Sequence, residues 1–397
     1  MTTLATLPTE LIELICEWVA DYVLEDWEFG DGPPCDSSSS RFGRDEETQR
    51  ILSRQLVGLP LVHSRWAIPG QKALYRSVVL PNAVSYKAFQ DSLTAFPQNG
   101  SYVRAISIHW GNRDYGGHDG YSYKVLGWFH EMEIQQLVRL CPFLECFHPG
   151  YDSPVISQEG IAALGNIDSI RAMTWRPTEF LQYGEAVNRA QSGWHRLETI
   201  EILGHLWEND FKFIQPISNR LRTLKFHDHQ QDLHSQLSLD NLRELHLSTK
   251  QLQLFMNDIT PIFEACGSNL FELTIQYPLN ALLAILGSIF KYTPRLRHLN
   301  IVVAPVIRWG EDWSALLQVR NQFTQVRGAI FDSWRLESLR SVRFEVRRST
   351  PSLEFAFKSF LRPDAFPNLH KLLKLQRDVN GELQITNMMN QGIEYTT

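Results

Sequence analysis

The side chains suited to chemistry are few. His227 and His229, with Asp228 between them and His234 beyond, bring imidazoles and a carboxylate close in sequence. Such a group could ligate a divalent metal, and alternation along a strand would put His227 and His229 on one side. No Cys or His set completes the group at zinc spacing, so no metal is expected. Cys141 and Cys146 sit in apolar surroundings and read as small buried hydrophobes, not nucleophiles. The stretch from Trp110 to Tyr123, mixing Gly with aromatic and charged residues, suits an adaptable recognition loop. It lacks the Gly-Lys-Ser/Thr ending of a phosphate cradle, and no serine-hydrolase elbow, zinc-protease or dinucleotide fingerprint occurs. The expectation is a protein that binds, with no catalytic residues, no metal and no cofactor.

Composition agrees with a folded binder. Of 397 residues, 43% are hydrophobic and 21% charged, which is ordinary globular usage. Lys+Arg is 38 against Asp+Glu 44, net −6, so no electrostatic footprint for nucleic acid is present. Residues 1–50 carry 12 acidic and 3 basic side chains, leaving the remainder slightly basic, which suggests two parts with different jobs. Five scattered cysteines and a first segment without Lys or Arg point to a reducing compartment, cytoplasmic or nuclear. The longest apolar stretch, Ala281 to Phe290, is about half of what a bilayer-spanning helix needs, so no membrane partner is expected.

Elements that could position a binding surface are repeated along the chain. An apolar, two residues, apolar, one residue, apolar pattern starts at Leu197, Leu221, Leu242, Leu270, Leu296 and Leu339, with weaker copies at Val103, Leu144, Ile170 and Leu369. The clear copies start 24, 21, 28, 26 and 43 residues apart, the last gap holding an extra helical pattern from Ala315 to Val326. Such spacing is the signature of leucine-rich repeats, each a short strand plus a return segment that can bury its apolar side only by stacking. The fold class expected is therefore α/β, an irregular solenoid with parallel strands on the concave face and helices or loops on the convex face. Apolar runs at Ile134 to Leu140 and Leu282 to Phe290 read as return helices. The copies lack the Asn or Cys usual three residues past the last Leu, which predicts irregular turns. Residues alternating with the inward apolar positions face the open side, which names Lys225, His227, Glu244, His246, Glu272, Gln276, His298, Asn300 and Arg343 as target-binding candidates. A long open surface suits a protein target better than a metabolite.

The N-terminal residues carry a different pattern. Leu7-Pro8-Thr9-Glu10-Leu11, continuing through Ile15 to Val19, reads as an amphipathic helix with Pro8 in its first turn. A second apolar run contains Leu59-x-Leu61-Val62-x-x-x-Trp66, and it trails into Leu74-Tyr75-x-x-Val78-x-Leu80. This succession resembles an F-box, the three-helix module that docks on the Skp adaptor of Skp–cullin–F-box ubiquitin ligases. His63 stands where the motif commonly has Cys, and about thirty residues from Asp21 to Arg50 lengthen the first connection, an insertion that costs little closure entropy.

The resemblance implies a substrate-recognition subunit of a cullin ligase. Leu7, Pro8, Leu11, Ile15, Val62 and Trp66 would be apolar anchors for the adaptor, and the repeat surface would hold a protein target. The other reading is a leucine-rich interaction scaffold with no ligase role, whose N-terminal helices only cap the array. Expected boundaries are an F-box-like module at 1–80 with a flexible insert at about 25–48, a linker at 81–100, the repeat array at 101–375 and a tail at 376–397.

Overall fold

One backbone device recurs along the chain. The amide of the first apolar residue donates to the carbonyl three residues earlier, as in Leu270 to Gly267 (3.2 Å) and Leu296 to Thr293 (3.1 Å), which closes a turn. The next residue's amide then donates to the equivalent carbonyl of the preceding copy, as in Arg297 to Phe271 (2.8 Å), and starts the parallel ladder. The leucines at 197, 221, 242, 270, 296 and 339 are each 0% exposed, so each of the six clear copies sinks its leading side chain completely. Full burial of such a side chain is worth about 1.5–3 kcal/mol, and no single copy could achieve it alone.

The structure, a computed structural model, describes residues 7–16, 64–80, 83–108, 131–149, 158–175, 193–203, 214–227, 237–248, 260–277, 279–303, 335–346, 360–377 and 383–390. The chain forms two compact units, Met1–Leu203 with Trp207–Phe213 and Gly204–Leu206 with Ile214–Thr397.

In the first unit, helix α1 covers 9–16 and α2 Ser64–Arg76, followed directly by β1 Ser77–Leu80. Next come α3 Ala83–Ala95, a 3-10 helix at Pro97–Tyr102, β2 Ala105–Ile108, α4 Glu131–Leu140, β3 Cys146–Pro149, α5 Gln158–Gly165, β4 Ala172–Trp175 and β5 Thr199–Leu203. The strands pair in sequence order, all parallel. In the second unit, β6 Thr223–His227, β7 Glu244–Ser248, β8 Glu272–Tyr277, β9 His298–Val303, β10 Ser341–Val346 and β11 Lys371–Arg377 are again parallel and in order. Helix α6 Thr260–Cys266 precedes β8, α7 Leu279–Tyr292 precedes β9, and β12 Leu383–Asn387 lies antiparallel to β11. All ten sequence copies lead into strands, and the α/β arrangement is compatible with stacked repeats. The core between strands and helices in the second unit includes Phe290, Phe344, Phe360 and Phe366, whose rings meet 5.2–5.9 Å apart.

Several expectations change. Residues 81–100, read as a linker, carry α3, because Tyr86, Phe89 and Leu93 form a buried helical stripe (3%, 9% and 0% exposed). The strand β1 belongs to the sheet, pairing Val78 with Ile106, so the repeat pattern starts before residue 101. Residues 376–397, read as a tail, contain β12, which covers the outer edge of β11. In three copies an Asn immediately before the first Leu ties its turn to the one before it. Asn241, Asn269 and Asn368 donate to the carbonyls of Asn219 (2.6 Å), Asp240 (2.6 Å) and Glu337 (2.7 Å), each in the preceding turn. The Trp110–Tyr123 stretch and the helical pattern at Ala315–Val326 lie outside the described residues.

Candidate functional site

Two surfaces carry the candidate residues, one in each unit. The first is built on α1. The amides of Leu11 and Ile12 both donate to the Pro8 carbonyl at 3.1 Å, so the helix starts where the proline lacks a donor anyway. Four residues apart, Ile12 (0% exposed) and Cys16 (1%) join Trp66 (3%) and Ala73 of α2 in one cluster, flanked by Leu7 and Leu74. Arg65 donates to the Thr9 hydroxyl at 3.1 Å, a second tie between the helices. A different stripe of α1 stays outside: Leu11 is 45% exposed, Leu14 60% and Ile15 37%. These three are spaced i, i+3, i+4, which makes a continuous apolar strip on one face.

The predicted adaptor residues therefore separate. Leu11 and Ile15 lie on the open strip, Pro8 is exposed at its start, and Leu7 is half-buried against the inner cluster. Trp66, expected as an outward anchor, is instead part of that cluster, because its indole fills the space between the helices. Val62 lies outside the described residues. Sequence reasoning did not select Leu14, although its helical spacing from Leu11 was the available signal.

The second surface is the outward side of the strands in the second unit. Register brings the nine target-binding candidates into three neighbouring rows. Lys225, His246, Thr274, Asn300 and Arg343 stand side by side across five strands, about 19 Å at parallel-strand spacing. Glu244, Glu272 and His298 fill the row before it, and His227 and Gln276 the row after. Neighbouring strands are stitched by their polar groups. Thr223 donates to Glu244 at 3.0 Å, Asn300 Nδ2 donates to Glu272 (3.1 Å) and Thr274 (3.2 Å), and His298 Nδ1 lies 2.7 Å from the Ser341 hydroxyl. Gln276 is 93% buried, and its Oε1 has no hydrogen-bond partner among the described residues. Partial desolvation, and then the positive charges of Arg297, Arg340, His370 and Lys371, hold His298 below the ordinary histidine pKa.

The first unit has a corresponding row that sequence reasoning missed, although the weaker repeat copies marked its strands. His148 Nδ1 lies 2.8 Å from the Thr174 hydroxyl, which donates to Glu201 at 2.9 Å. The hydroxyl's single proton points to Glu201, so His148 Nδ1 carries the hydrogen it shares with Thr174. Thr174 is 2% exposed and thus ties three strands together without presenting a nucleophile. Among the described residues no His, Cys, Asp or Glu cluster could hold a metal, and His229 and His234 lie outside them. Cys141 and Cys266 are buried thiols, each pushed up to about 12 by desolvation. No described helix is long and apolar enough to cross a membrane.

No family model matches the chain, and no curated protein does. Among solved structures, it is similar to a chain of the yeast Rad7 and Elc1 complex, with 10% identity, a TM-score of 0.38, and coverage of 85% of this chain and 93% of that one. It is also similar to a protein from Bacteroides fragilis, with 14% identity, a TM-score of 0.37, and coverage of 83% and 84%. Likenesses at these scores carry no argument about fold or function.

Proposed function

We propose that this chain is a non-enzymatic receptor subunit, docking a Skp-type adaptor of a cullin ubiquitin ligase through α1 and holding a protein target on the outward strand face of its second unit. The observation that carries the reading is the division of α1. One stripe is consumed by the contact with α2, while Leu11, Leu14 and Ile15 remain available to a groove on another chain, as helix-in-groove recognition requires. The motif residues from Leu7 to Ile15 and the Trp66 segment support the F-box reading. Such a subunit makes and breaks no bonds. It raises the local concentration of the target beside the ubiquitin-loaded enzyme.

Coexpression with a Skp-type adaptor tests this. A single stoichiometric complex on gel filtration, lost on Leu11→Asp with unchanged circular dichroism, is the expected result. A folded chain that elutes alone beside free adaptor contradicts it.

One observation favours the scaffold reading. Helix α2 passes into β1 without an intervening residue, and Gln71 donates to Asn99 at 3.3 Å, so the helices are fastened to the first repeat as a cap would be. Under that reading, deleting 1–62 lowers the stability of the body, and the adaptor has no effect on it.

A further inference from the structure

Arg222, Arg243, Phe271, Arg297, Arg340 and His370 occupy one position of the repeat, immediately before each strand of the second unit. The backbone sets five of them in a continuous ladder after Arg222. Amides of Arg243, Phe271, Arg297, Arg340 and His370 each donate to the carbonyl of the residue before them in this series, at 2.8–3.1 Å. Six positions at about 4.8 Å make a track of roughly 24 Å. In the first unit the same position reads Arg76, Arg104, Glu145, Arg171 and Glu198, so two acids interrupt the arginines, with Arg104 Nε 3.5 Å from Glu145 Oε1. The second unit has no acid at this position, and its four arginines are exposed.

The arginines are also held in place. Arg243 and Arg297 both lie over the Phe271 ring, 5.9 and 5.1 Å from its centroid. The ring limits the freedom of both guanidinium groups, which reduces what a ligand must order on binding. Nearby carboxylates are engaged elsewhere, Glu244 with Thr223 and Glu272 with Asn300. Among the described residues, Arg243, Arg297 and Arg340 form no ion pair. Burial first, and then the positive charges of Arg297, Arg340, His370 and Lys371, hold the pKa of the adjacent His298 below its ordinary value.

We propose that Arg243, Phe271, Arg297 and Arg340 form a docking track for an extended Asp/Glu-rich peptide segment laid across the strands. Arg243, Arg297 and Arg340 are rooted on strands two and three steps apart, about 14 Å from first to last along the backbone, so a ligand that meets all three is an extended one. An extended chain with acids at alternate residues repeats a carboxylate every ~6.7 Å on one side and meets several arginines in succession. Phe271 is occupied by guanidinium groups, and the whole chain is net negative, both of which disfavour a nucleic acid that needs stacking faces and broad cationic surface. The proposal stands whether or not α1 meets an adaptor.

Fluorescence anisotropy with the full-length chain tests it, using a labelled peptide of about eight residues that alternates Glu and Ser, spanning the track when extended. The acidic peptide should bind with an affinity that falls as salt rises from roughly 50 to 200 mM, and its Gln-for-Glu counterpart should not bind. Arg297→Glu with Arg340→Glu should weaken binding about tenfold or more, whereas Arg171→Glu in the first unit should leave it unchanged. If the double reversal does not fold, Arg243→Gln with Arg340→Gln removes charge without introducing acids and should show the same loss. Unchanged affinity in a folded double variant overturns the proposal. So does equal or tighter binding of a single-phosphoserine peptide without acids, or of a single-stranded oligonucleotide of similar length.

Discussion

The carboxylate of Glu13 accepts a hydrogen bond from the Lys72 ammonium at 3.3 Å, joining α1 to α2 across 59 residues of sequence. Both side chains are nearly half-exposed, so the pair orients the helices and contributes at most about 1 kcal/mol. The apolar cluster beneath it contributes more. Ile12→Ala should therefore lower unfolding free energy by about 2–4 kcal/mol, and Lys72→Ala by less than about 1 kcal/mol, as read from urea denaturation. Equal losses for the two variants would show that the inner cluster does not hold the helices together.

The return segments approach one another at glycines. A Cβ on Gly267 would meet the carbonyl of Tyr292 at the end of α7, and one on Gly193 or Gly100 would meet the end carbonyl of α5 or α4. Gly267→Ala should lower stability by about 1–3 kcal/mol, because backbone must shift to make room. Thermal melts of the full chain check this, and an unchanged midpoint contradicts the close approach.

His298 should titrate below 6.5 in the folded protein, since desolvation and the charges of Arg297, Arg340, His370 and Lys371 disfavour its protonated form. Glu272, its register partner on β8, is hydrogen-bonded to Asn300. A depressed histidine contributes stability above the ordinary pKa, and that contribution is lost as pH falls through the folded value. NMR titration should show the His298 pKa rising in Arg340→Gln, but not to the ordinary value, because desolvation remains.

The thiols behave in the opposite sense. Cys141 and Cys266 stay protonated in the fold up to about 12, while an unfolded thiol titrates near pH 8.5. The unfolded chain loses these protons first, so stability falls as pH rises above about 8.5. Iodoacetamide at about pH 8.5 should modify neither residue in the native protein and both in urea, as read by mass spectrometry.

The strands were legible because a leading Leu, two residues and an alternating apolar pair are sufficient to mark a buried turn and a half-buried strand. The alternation ending at Leu80 marks strand β1, but α2 runs through Tyr75 and Arg76 directly into it, so the first apolar position of that copy is helical and hides its place in the array. The period of helix α3 rests on Tyr86, Phe89 and Leu93 alone, which leaves residues 81–100 with the polar look of a linker. The candidate rows followed from alternation within each copy. Their cross-strand bonds, such as Asn300 to Glu272, depend on register between copies and could not be read from one copy alone. The burial of Trp66 likewise depends on which α1 stripe it meets, a question of packing and not of motif.

Calorimetric titration of a purified Skp-type adaptor into the full chain tests the division of α1 most directly. The account predicts saturable one-to-one binding in about the nanomolar to micromolar range, with the negative heat-capacity change of apolar burial, abolished by Leu11→Asp with Ile15→Asp in a chain that still melts cooperatively. Binding of undiminished affinity by that folded double variant, or no heat from the folded wild type, contradicts it.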